Sequence, residues 1–163
     1  MSKVYRNQPV TRLELEKLLA LAMAEEDDFF SCQRNDHLIA PYRDRLLCIA
    51  LCQGAALQYA DCGYGVADFD IHFFYAQNPA KRRLSRAVPR IIADVGSFDS
   101  IPVDFVRTVV PHATPSSETG VIVGQLHAFL RETPTRNAVH LAQKAVVGLS
   151  PAALFGEVLW PLL

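Results

Sequence analysis

Apolar positions recur with a helical period over residues 11–26, where Leu15, Leu18, Leu19, Ala22 and Met23 fall on one stripe and Glu14, Glu16, Lys17 and Glu25 occupy the rest. Thr11-Arg-Leu-Glu14 opens this segment as a capping box, in which the hydroxyl satisfies an orphan amide of the first turn and the carboxylate reaches back to the cap. The pattern predicts a scaffold helix. After a polar stretch, Leu46-Leu-Cys-Ile-Ala-Leu-Cys52 is a continuous apolar run, which predicts a strand buried on both faces and ending at Gln53-Gly54. A short helix over 55–60 and a turn at Asp61-Cys-Gly-Tyr-Gly65 follow, the glycines permitting positive φ. The aromatic-rich segment Asp68-Phe-Asp-Ile-His-Phe-Phe-Tyr75 alternates and predicts a second strand. Its parity sends Asp68, Asp70 and His72 to one face and Phe69, Ile71 and Phe73 to the other.

Asn78-Pro79 breaks that strand, and Leu84, Val88, Ile91 and Val95 then have helical spacing, interrupted by Pro89. A third strand is predicted over 101–110, carrying the lone acid Asp104 amid Val103, Phe105, Val106, Val109 and Val110. The Pro, Ser, Thr and Glu residues of 111–119 predict a flexible connector. Three helices are expected afterwards: one over 123–131, one capped by Thr133-Pro134 and running to Val147, and one capped by Ser150-Pro151 and running to about Leu159. The order of elements fits one α+β domain over 1–163, with a mixed-sheet core at about 36–110 and a C-terminal helical layer at about 120–163.

Composition narrows the function classes. The chain has 163 residues, 16 Lys+Arg against 17 Asp+Glu, and a formal net charge of −1. Half of its residues are hydrophobic and a fifth are charged, which supports a sizeable core and excludes a disordered chain. The neutral balance argues against nucleic-acid binding through overall basicity. No apolar stretch approaches the ~18 to 20 residues of a membrane span, so no membrane partner is expected. The first residues show no leader-like apolar region, and Cys32, Cys48, Cys52 and Cys62 have no familiar zinc spacing. They read as buried structural thiols of a cytoplasmic protein.

Candidate chemistry lies in the strands. Asp68 and Asp70 are two apart and share a side, and Asp104 sits centrally in another apolar strand that could pair beside them. Several acids near a core call for protonation, a basic partner or a hard cation with oxygen ligands. The plainer reading makes Asp68 an exposed strand-start residue, Asp70 a salt-bridged one and Asp104 a solvated edge acid. His72 shares the parity of the pair and reads either as a metal or proton-transfer group or as a hydrogen-bonded packing residue. Lys81, Arg82 and Arg83 form a basic run that could reach a phosphate or could be the solvated side of a helix. By strict alternation Arg107 faces away from Asp104 and serves a common site only if the strand bulges or ends early.

An apolar strand ending in Gly54-Ala55, twelve intervening residues, Asp68-Phe-Asp70-Ile71 and a later Val103-Asp104-Phe105 form a recognisable order. It resembles the DNA polymerase β-like nucleotidyltransferase superfamily, with its hydrophobic-Gly-[Gly/Ser] step, a gap of roughly nine to thirteen residues, an acid-x-acid pair and a third acid on a following strand. The superfamily resemblance covers about residues 45–110. Gln53-Gly-Ala-Ala-Leu57, Asp68-Phe-Asp70, Ala145-Val-Val-Gly-Leu149 and Trp160-Pro161 also look similar to a smaller bacterial nucleotidyltransferase-like family, which brings no biochemical activity with it. The superfamily resemblance implies that Asp68 and Asp70 hold Mg2+ against nucleotide phosphates and that Asp104 helps to activate the attacking hydroxyl. Gly54 and Ala55 would match the phosphate-contacting step, with Lys81 and Arg107 as candidate phosphate cations. Ala55 departs from the usual Ser or Gly, and the Arg-Gly that often follows is replaced by Gln58-Tyr-Ala-Asp61.

Two functions from different classes are therefore expected. The first is a metal-dependent nucleotidyltransferase moving an NMP from an NTP to a hydroxyl of a small molecule or protein; the same acids would also suit phosphodiester hydrolysis. The second is a catalytically impaired protein of this fold, acting as a nucleotide-binding or protein-interaction module. The C-terminal helices are the candidate surface for the acceptor or for a second copy of the chain.

Overall fold

The computed structural model describes residues 7–31, 36–61, 63–81, 84, 92–94 and 101–161. Helix α1 spans Arg12–Ser31 and opens on the expected capping box. The Glu14 amide donates to the Thr11 hydroxyl at 3.2 Å, and the Thr11 amide donates to the Glu14 carboxylate at 3.1 Å. The helix is longer than the periodicity indicated because Phe29 and Phe30 continue its buried stripe over the sheet. Two acids expected on its solvent side, Glu14 and Glu25, are buried, whereas Met23 is exposed.

Helix α2, Asp36–Ile39, and a 3-10 turn, Ala40–Tyr42, lead into strand β1, Leu46–Cys52. As expected, β1 is buried from Leu47 onward on both faces. Helix α3, Gln53–Ala60, follows without a linking residue. Strand β2, Phe69–Ala76, begins one residue after Asp68. Strand β3, Ile92–Asp94, lies where helical spacing was read, which corrects that expectation; residues 85–91 and 95–100 lie outside the described residues. Strand β4, Pro102–Val110, closes the predicted set.

The C-terminal region departs most from expectation. Helix α4, Thr119–Glu132, and helix α5, Arg136–Ala142, form the helical layer. Strand β5, Ala145–Ser150, and strand β6, Val158–Trp160, replace the rest of the expected helices. Ala145-Val-Val-Gly-Leu-Ser is a short apolar run whose period does not separate helix from strand, and its two valines favour the strand. The segment 111–119 is pinned rather than a free connector. Thr114 donates its amide to the Gln125 side chain at 2.6 Å and accepts from it through its carbonyl at 2.9 Å.

The six strands form one sheet in the order β3-β4-β2-β1-β5-β6. Among the described residues, β2 and β4 pair in parallel and the other neighbours are antiparallel. Period-two alternation divides the side chains between two cores. Ile49, Leu51, Phe69, Ile71, Phe73, Val103 and Phe105 pack beneath α1 and α3 on one face. Cys48, Ala50, Cys52, Phe74, Val110 and Val146 pack beneath α4 and α5 on the other. Fully burying a side chain of Leu or Phe size stabilises the fold by about 2 kcal/mol. The architecture is α+β, as the sequence implied. Among the described residues, no helix is long and apolar enough to cross a membrane.

Candidate functional site

Asp70 is the direct register partner of Asp104 across the parallel β2–β4 pair, and Cys52 of β1 is the antiparallel partner of Asp70. A row Val146, Cys52, Asp70 and Asp104 therefore crosses four adjacent strands. Neighbouring strands lie about 4.8 Å apart, so carboxylates on the same face at these positions share one small region. Asp104 is 8% exposed and Asp70 half-buried. Asp68 is also half-buried but sits ahead of β2, outside the ladder. Among the described residues, no group of three or more His, Cys, Asp or Glu side chains stands close enough to hold a metal ion. The structure thus brings Asp70 and Asp104 together and leaves Asp68 beside the pair.

The row lies at the sheet end where β1 passes into α3. Gln53 turns this corner with φ of +64°, a backbone region that a residue other than glycine enters rarely and at a cost. The residue is 7% exposed, and its Oε1 atom has no hydrogen-bond partner among the described residues. Helix α3 has no side-chain cap, so its first amides are unsatisfied within the helix beside the carboxylate row. The expected turn at 61–65 abuts this corner. Gly65 takes φ of +76°, its carbonyl would lie 3.8 Å from a Cβ placed on Gly54, and the Tyr64 and Gly65 amides both donate to the Gln58 side chain.

Three residues expected to contact phosphate lie elsewhere. Ala55 is 1% exposed and packs in the core beneath α1, because α3 begins at Gln53 and its phase turns this methyl inward. Arg107 occupies the opposite face of β4, as strict alternation required. It stacks on Phe29 at 3.6 Å, pairs with Glu25 at 3.3 Å and Glu26 at 3.6 Å, and donates to the Tyr75 hydroxyl at 3.2 Å. Lys81 follows the other end of β2, about 20 Å along the strand from Asp70 at about 3.3 Å per residue. There its carbonyl accepts from the Tyr42 hydroxyl at 2.5 Å, while Arg45 binds the carbonyls of Ala76 and Gln77.

His72 is a hydrogen-bonded packing residue of the same face. Its Nδ1 lies 3.4 Å from the Thr108 hydroxyl, its ring stacks on Phe74 with centroids 5.8 Å apart, and Asn137 of α5 donates to the same hydroxyl at 3.1 Å. Burial, then neighbouring Cys48 and Asp70, push the Cys52 thiol well above its ordinary value, and burial pushes Cys48 up to about 12. Both sulfurs are therefore protonated at neutral pH in the chain as it stands. Both are free buried cysteines, as read from the sequence; Cys32 and Cys62 lie outside the described residues. An open cavity of about 460 Å3, lined by His112, Gln125, Phe129 and Glu132 among others, follows the far end of β4 and does not reach the carboxylate row.

Sequence reasoning missed the Gln53 corner, since glutamine carries no preference for positive φ, and the Gln-Gly step was its only trace. No family model matches the chain, and searches of curated proteins and of solved structures return no match.

Proposed function

We propose that this protein is a metal-dependent nucleotidyltransferase of the DNA polymerase β-like kind. The observation that carries the reading is the register pairing of Asp70 with Asp104, one strand from the corner where β1 enters an uncapped helix. Two carboxylates suit Mg2+, which keeps several waters and is held by one or two protein carboxylates together with substrate phosphates. Gln53, whose side-chain oxygen has no hydrogen-bond partner among the described residues, turns the same corner. Bound Mg2+ would supply Lewis-acid charge to the triphosphate and the departing pyrophosphate. In this reading Asp70 and Asp104 would hold the cation, and the first amides of α3 with Gly54 would receive a phosphate. Asp104 also accepts the proton of the acceptor hydroxyl. The hydroxyl oxygen bonds to the α-phosphorus as the bond to the pyrophosphate oxygen breaks.

A second reading has an observation of its own. Ala55 is a core methyl, and Arg107 and Lys81 lie away from the carboxylates, which favours a protein that binds nucleotide without transferring it. The two readings part on one experiment. Purified protein is mixed with cell extract and α-labelled NTPs, and label transfer that vanishes in Asp104→Asn excludes the non-catalytic reading. Absence of transfer alongside intact nucleotide binding favours it.

A further inference from the structure

We infer that Lys144 is the cation that holds the nucleotide phosphates; this rests on the reading of the carboxylate row as a nucleotide site. The bridge between Gln53 and Ala145 brings the start of β5 to the corner between β1 and α3, so Lys144 lies beside the Gln53-Gly54 step. The chain reaches β5 directly from α5, the helix that packs on the Asp70 face of the sheet. Lys144 is half-buried, its amide donates to the Leu141 carbonyl at 3.3 Å, and its ammonium has no hydrogen bond or ion pair among the described residues. A lysine held there carries uncompensated charge at the β5 end of the row whose far members are Asp70 and Asp104.

Three other described cations of the sheet and its helices are committed elsewhere. Arg107 is bound to two glutamates on the far face, Arg45 caps the opposite end of β2, and Arg131 stacks over Trp160. Lys144 lies two strands from Asp70 and two residues beyond its row, which puts their Cα atoms about 12 Å apart by standard strand spacing and rise. A cation at the carboxylates, a phosphate chain and a lysine arm in series cover that gap. A flexible four-carbon stem ending in a point charge suits a phosphate whose position shifts during transfer. The ligand class is a linear polyphosphate ester, recognised by its charge rather than by its base.

Titration calorimetry tests this with Mg-ATP, Mg-tripolyphosphate and adenosine on wild type, Lys144→Ala and Lys144→Arg. Loss of one charge-assisted contact is expected to weaken ATP and tripolyphosphate together by about tenfold to a hundredfold in Lys144→Ala. Lys144→Arg should restore most of the affinity, and the thermal midpoints of all three should agree. Wild-type affinity for ATP in Lys144→Ala overturns the role of Lys144 and leaves the nucleotide reading standing. Failure of wild type to bind either phosphate ligand overturns both.

Discussion

Arg107 and Glu25 form an ion pair of 3.3 Å between β4 and the C-terminal half of α1, closed from above by the Phe29 ring. Glu26 and the Tyr75 hydroxyl complete the cluster, Tyr75 donating to Glu26 at 2.6 Å. This network clamps the longest helix to the sheet, and it explains why an arginine three residues after Asp104 has no part in the carboxylate site. Arg107→Met leaves the buried Glu25 and the half-buried Glu26 without their cation and should destabilise the fold by about 3 kcal/mol. Urea unfolding measures it; a loss below about 1 kcal/mol would show that the clamp contributes little.

The same cluster gives a pH dependence with a defined sign. Desolvation raises the Glu25 and Glu26 carboxyls above their ordinary value of 4.5, against the opposing pull of Arg107, with Tyr75 also lowering Glu26. Between 4.5 and the raised folded values, the folded chain keeps protons that the unfolded chain has lost. Their stabilising contribution is therefore complete below 4.5 and fades as pH rises through the folded values. Glu26→Gln holds a neutral acceptor for Tyr75 at every pH. The stability of wild type minus that of Glu26→Gln should accordingly fall as pH rises above 4.5. A difference that rises instead contradicts the assignment.

Gly148 of β5 faces the chain that turns back towards β6. A Cβ there would run into the Leu154 carbonyl, and its amide and carbonyl bond Glu157 and Gly156. Gly148→Ala should cost about 2 kcal/mol by overpacking. Gly124 of α4 has open space around it, so Gly124→Ala should instead be neutral or stabilising by about 1 kcal/mol through helix propensity. Thermal unfolding of the two variants side by side checks both signs.

The elements with a sustained period were legible in the chain. The stripe of α1, the apolar run of β1 and the alternation of β2 each state their own burial. Alternation alone also set Arg107 against Asp104 and separated Asp70 from Phe69. Strands β5 and β6 were not legible, because six and three residues are too short for a period to form and Pro151 with Ser150 mimics a helix start. Inside the site, a single-residue offset decided Ala55. The helix starts at Gln53 and not at 55, and in that phase the Ala55 methyl packs into the core. The pairing of Asp70 with Asp104 depends on β2 and β4 being parallel neighbours, and composition and spacing along one strand carry no record of which strand lies beside it. Lys144 escaped notice because its place depends on a bridge between residues 53 and 145.

The central claim is that Asp70 and Asp104 hold a cation-bound nucleotide, and the most direct measurement is equilibrium binding of each Mg-NTP to wild type, Asp70→Asn and Asp104→Asn, repeated with Mg2+ chelated. Binding to wild type should require Mg2+ and should fall at least tenfold in either variant while both variants stay folded. Failure of every Mg-NTP to bind wild type, or affinity unchanged by chelation and by both substitutions, contradicts it.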